Sequence, residues 1–166
     1  MFNIGSVLNS ERRKFEPMKP LFVLLIVYIA LLAFGSHTSF DKGNIFAGNT
    51  AMSVMLLFTA IGHFKFKTAM AAMIPLFVPK KVELIIITGI LEIIFATGLS
   101  IESTRYYTGI ALIIFLIAIL PANIYAAKHK INYENLYKPG PGIKYLWFRI
   151  PFQFLLIAWV WYFSIR

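Results

Sequence analysis

Five apolar runs, at residues 19–36, 46–63, 82–100, 106–127 and 148–165, constrain this chain more than any other feature. Each reaches the roughly 17–25 residues that a helix needs to cross a bilayer. The runs are continuous rather than alternating, and an open sheet cannot satisfy its edges in lipid, so strands are excluded. The chain is also 59% hydrophobic and only 14% charged, where a soluble domain carries about 25% charged residues. The expected fold is therefore an all-α membrane protein. The connections are too short for a second soluble domain.

The formal net charge of +9 suggests a nucleic-acid partner until the charges are placed. Arg12, Arg13, Lys14 and Lys19 precede the first run; Lys65, Lys67, Lys80 and Lys81 lie between the second and third. Lys128, Lys130, Lys138 and Lys144 lie between the fourth and fifth, with Arg149 at the mouth of the last. The alternate connections and the far end carry only Lys42, Arg105 and Arg166. Such alternation is the positive-inside pattern, which predicts the N-terminus in and the C-terminus out of a bacterial inner membrane. No nucleic-acid role is expected. Cysteine is absent, so thiol–disulfide chemistry and cysteine-held clusters are excluded.

Residues 1–18 read as a short cytoplasmic lead and 19–45 as an additional N-terminal transmembrane helix with a polar outer loop at 37–45. The first run has the basic lead of a signal peptide, yet reads as a retained anchor. Residues 46–166 form the expected four-helix core. In its first helix Asn49, Ser53, Leu56, Ala60 and His63 fall on one face, small or polar over most of its length, which suits packing against other helices. The stretch Thr68–Pro79 is apolar but too short to span, and reads as an interfacial or re-entrant piece held by flanking lysines. The Pro139-Gly-Pro-Gly run is turn chemistry. Tyr106, Tyr107, Tyr145, Trp147, Trp161 and Tyr162 mark the ends of spans as ordinary aromatic belts.

Five polar residues within or at the edge of these runs form the candidate site: His63, Glu92, Asn123, Arg149 and Gln153. Glu92 stands near the middle of the apolar run 84–99, where a carboxylate costs at least about 2.5 kcal/mol, so a partner or a role is expected. Its helix neighbours Thr88, Gly89 and Ala96 are small, which points the carboxylate into the bundle. The sequence leaves open whether Glu92 fixes packing, or serves as a proton site, a ligand acceptor or the partner of a cation. His63 is expected at the inner boundary as a hydrogen-bonding side chain rather than a metal ligand, and no Glu-x-x-His pair supports a di-metal site. Asn123 follows Pro121, which frees a carbonyl one turn back; its amide can satisfy that backbone or face a ligand. Arg149 can reach headgroups, Glu83 or Glu92. Four of the five fall in the inner half, which predicts one polar cluster opening inward.

Gly62-His63-Phe64, Ile74-Pro75, Gly89-Ile-Leu-Glu92, Pro121-Ala122-Asn123 and Arg149-Ile-Pro151-Phe-Gln153 together resemble the DoxX family of small membrane proteins. The resemblance covers roughly residues 46–165 and leaves the first helix additional. It implies a four-helix transmembrane bundle that accompanies a membrane redox partner, with a quinone as the candidate bound molecule. Relatives that work by thiol redox need cysteines, which this chain lacks. A non-enzymatic assembly factor acting through helix–helix contacts is the rival expectation, and a proton-coupled transporter a third.

Overall fold

The computed structural model describes residues 18–34, 40–132, 140 and 142–166. The lead with Arg12, Arg13 and Lys14, part of the expected outer loop, and Lys138, Pro139 and Pro141 lie outside the described residues. The chain forms helices α1 (Lys19–Phe34), α2 (Phe40–Lys65), α3 (Lys67–Ala71), α4 (Lys81–Ser100), α5 (Glu102–Lys128) and α6 (Leu146–Val160). A 3₁₀ turn, Gly142–Tyr145, leads into α6, and a π-helical turn, Trp161–Ile165, follows it.

Four helical segments are long and apolar enough to cross a membrane: Gly43–Lys65, Lys81–Ser100, Glu102–Lys128 and Gly142–Ile165. The first helix is different. With 16 residues α1 is about 24 Å long, short of the roughly 30 Å of a bilayer's hydrocarbon. The next helix starts earlier than expected: Phe40 already lies in α2, so residues 40–45 of the expected loop are helical. Asn44 explains part of this, because its side-chain carbonyl accepts the Tyr28 hydroxyl of α1 and holds that turn against its neighbour.

The helices follow one another around a single core. The longest seam joins α2 to α4; α1 lies along α2, α4 packs on α5, α5 on α6, and α6 with its π turn returns to α2. Leu24, Met52, Leu56, Leu99, Leu112 and Val160, all below 2% exposed or at that limit, bring at least one buried side chain from each of the five long helices to that core. The outward faces are as apolar as the inside: Ile26, Ile61, Ile94, Ile114 and Phe154 are largely exposed. So extensive an apolar exterior suits lipid rather than water.

Tight corners set the helix lengths. Ile101 alone breaks the chain between α4 and α5, with extended backbone angles. There the Thr104 hydroxyl donates to Gly98 O at 2.9 Å and Arg105 Nε to Leu99 O at 3.2 Å, satisfying carbonyls that the end of α4 leaves open. At the other end of α5, Lys130 takes a left-handed φ of 52° while Ile131 N donates to Ala126 O, which closes the helix.

The end of the bundle opposite the lysines is locked by polar side chains. Asn49 Nδ2 donates to Phe163 O at 2.7 Å and to Ile45 O at 2.9 Å, while Ser164 Oγ donates to Asn49 Oδ1 at 2.7 Å. Trp159 Nε1 donates to Gly48 O at 3.0 Å, and Tyr28 stacks edge-on against Trp159 with ring centres 4.9 Å apart. Gly48 is the contact point, since a Cβ there would overlap the Phe163 ring. Gly48→Ala should therefore cost about 1–3 kcal/mol through overpacking, read as a lower unfolding temperature in detergent; unchanged stability would show that the π turn shifts freely.

Candidate functional site

The seam between α2 and α4 is where polar chemistry enters the core. It is narrow because small residues line it. Ser53 Oγ donates to Ala96 O at 2.8 Å across the seam, and Ser100 Oγ lies 3.3 Å from Ser53 Oγ. Two turns along, a Cβ on Gly89 would sit 3.0 Å from His63 Cβ and 3.2 Å from Phe64 Cζ. Only glycine leaves room there for α2 to approach α4 so closely. One turn after Gly89 comes Glu92, 5% exposed.

His63 and Glu92 meet. Nε2 of His63 lies 3.4 Å from Oε1 of Glu92, and Nδ1 lies 3.0 Å from the Thr88 hydroxyl. Glu92 stands about 16 Å along α4 from Lys81. The contact therefore sets the end of α2 beside the Gly89–Glu92 turn of α4. Phe66 N donates to Gly62 O and Met70 N to Phe66 O, so α3 carries on beyond α2 before the chain turns back.

The Thr88 hydroxyl has one hydrogen and two neighbours able to accept it, Ile85 O at 2.8 Å and His63 Nδ1 at 3.0 Å. His63 thus stands between a hydroxyl and the buried carboxyl, and a polar partner of this kind lowers the cost of the carboxyl's depth. Among the described residues Oε2 of Glu92 has no partner.

The other three candidates lie on α5 and α6. Gln153, 2% exposed, donates from Nε2 to Leu116 O of α5, while its Oε1 has no partner. Asn123, 6% exposed, donates to Ile119 O at 3.2 Å, within its own helix. That carbonyl is not the one Pro121 releases, which belongs to Ile117. Asn123 lies seven residues from Leu116, about 10 Å along α5. Arg149 packs its guanidinium over the Phe152 ring at 5.9 Å, and its buried Nε has no partner. Neither acid expected for it is its partner: Glu92 pairs with His63, and Glu83 with Lys80 at 3.6 Å.

The structure thus joins two of the five, His63 and Glu92, and adds Thr88, whose position on Glu92's face was the signal for it. Gln153 bridges to α5 without meeting Asn123. Among the described residues no three His, Asp or Glu side chains converge as metal ligands. An open groove of about 370 Å³ lies elsewhere, between α3 and the start of α4, and is lined by none of the five.

No curated protein and no solved structure matches the chain. Residues 52–164, which hold all five candidate side chains, match the family described as Domain of unknown function (DUF8561). That stretch is well over half of the chain, and the protein belongs to this family.

Proposed function

We propose that this protein is a multi-pass companion of a membrane redox enzyme, of DoxX type, that holds a quinone-like lipophile against Glu92. The observation that carries the reading is Glu92 Oε2: a buried carboxyl oxygen without a partner among the described residues, beside His63. A quinol hydroxyl could donate to Oε2. Gln153 Oε1, an acceptor, and Arg149 Nε, a donor, are likewise buried and unpartnered among the described residues, both on α6. The lysine distribution supports placement in a bacterial inner membrane with the N-terminus inside, which requires α1 to cross as an additional span despite its 16 residues.

The second reading is an assembly factor that works through helix–helix contacts. Its support is that Asn49 and Ser53, on the same face of α2, are satisfied by neighbouring helices. Purification in mild detergent, organic extraction and mass spectrometry separate the two. Wild type should carry a defined lipophile in near-unit ratio. Glu92→Gln, which keeps a neutral acceptor, should retain less, and Glu92→Leu none. Only bulk phospholipid in all three samples would reject the ligand site and leave the assembly reading.

A further inference from the structure

We infer that the groove between α3 and the start of α4 binds an anionic phospholipid with a hydroxyl-bearing headgroup. This inference is independent of the Glu92 site. One wall of the groove is Thr68, Ala71 and Ala72; the other is Lys80, Lys81 and Glu83. It is a shallow depression of about 370 Å³, open over most of its surface, against which a lipid head joined to its chains can lie.

The turn beside the groove shows what medium it meets. Leu76 and Phe77 are 86% and 87% exposed, consecutive, and held out between Pro75 and Pro79, with Val78 N donating to Pro75 O at 3.2 Å. Two adjacent large apolar side chains presented so fully are stable where they enter the acyl region of a leaflet. In the chain Lys65 and Lys67 precede that turn and Lys80 and Lys81 follow it, with Lys65, Lys67 and Lys80 exposed, so ammonium groups flank the apolar tip on both sides. Anionic lipid satisfies both features at once.

Glu83 narrows the chemistry. Its carboxylate pairs with Lys80 at 3.6 Å, both side chains being well exposed, which makes the contact weak and exchangeable. A phosphate can displace that pairing on Lys80 and also meet Lys81. The carboxylate is then free to accept hydrogen bonds from headgroup hydroxyls, as the Thr68 hydroxyl is to accept or donate. A phosphatidylglycerol-type head offers a phosphate and two hydroxyls; a choline head offers neither hydroxyls nor net negative charge.

The full-length protein should be placed in nanodiscs of mixed phosphatidylglycerol and phosphatidylcholine, and the retained lipid counted by native mass spectrometry after release. Wild type should keep phosphatidylglycerol in preference to phosphatidylcholine. At about 1 kcal/mol per lysine near a charged surface, Lys80→Gln with Lys81→Gln should weaken that retention roughly 30-fold. Lys144→Gln, outside the groove, should leave it unchanged, and so should Glu92→Leu. Conversely, the paired lysine variant should keep any lipophile held at Glu92, so failure at one site is distinguishable from failure at the other. Equal retention of the two lipids by wild type would overturn the inference. So would an equal loss with Lys144→Gln, or full competition by soluble glycerol phosphate, which lacks the chains that Leu76 and Phe77 would hold.

Discussion

His63→Ala should destabilise the bundle by about 3–5 kcal/mol, and adding Glu92→Gln should restore roughly half of that loss. Without the imidazole, the carboxyl of Glu92 keeps its depth and loses the one polar partner the bundle provides for it. The alternative partners lie too far along their helices or are engaged elsewhere, since Lys80 pairs with Glu83 and Arg149 lies over Phe152. Glutamine removes the ionisable group, so the double variant pays for a cavity but not for an isolated acid. Glu92→Gln alone should be mild, because its amide can either donate to or accept from the imidazole Nε2. Chemical unfolding of all four proteins in one detergent supplies the cycle. Strictly additive losses would show that the two side chains are not coupled.

Asn49→Ala should cost about 2–4 kcal/mol. One amide serves three partners here: the carbonyls of Ile45 and Phe163 and the hydroxyl of Ser164. Phe163 O lies in the π turn Trp161–Ile165, and Asn49 Nδ2 donates to it from α2. With alanine at 49 that carbonyl is left in an apolar surround, and the π turn should unwind or return to α-helical spacing. The change should also loosen α1, because Tyr28 packs on Trp159 and Phe163. Faster amide exchange in both segments, with the α4–α5 corner unaffected, is the expected signature. A variant with wild-type stability and exchange would show that lipid or detergent supplies the missing donor.

How far all this is readable in the residues depends on the distance over which each decision is made. The spanning helices α2, α4, α5 and α6 are plain in the sequence because their runs are continuous and their ends carry charge. The packing face of α2 is equally plain: Asn49, Ser53, Leu56 and Ala60 are all buried. Glu92's orientation follows from Gly89 and Ala96, both buried beside it. The partner of Glu92 is not readable in this way. Depth reckoned from the ends of the apolar runs puts His63 at the boundary and Glu92 well inside, and nothing local shows that α2 and α4 bring the two side chains within 3.4 Å. For the same reason Arg149 looks available to an acid, although its guanidinium settles on Phe152, about 4.5 Å of helix rise further along its own segment. The start of α2 at Phe40 also escapes, since polar residues 41–44 look like a loop until Tyr28 is brought to Asn44. Asn49 is recognisable as a packing residue, but its acceptor lies 114 positions away.

That separation has a consequence in time. The longest seam, α2 on α4, and the contact of α1 with α2 involve helices made early and close together in the chain. They can form as soon as those segments have entered the membrane. The return of α6 to α2 cannot, because it waits for the whole of α5 and the connection after it. During that interval Asn49 keeps only the carbonyl of Ile45 in its own helix as a partner, and the groove destined for Val160 and Phe163 stands open. A nascent bundle in this state is a half-built ring with a polar notch, and a neighbouring helix with a free carbonyl could occupy the notch first. Synthesis of the last helix is therefore also the step that ends competition for α2.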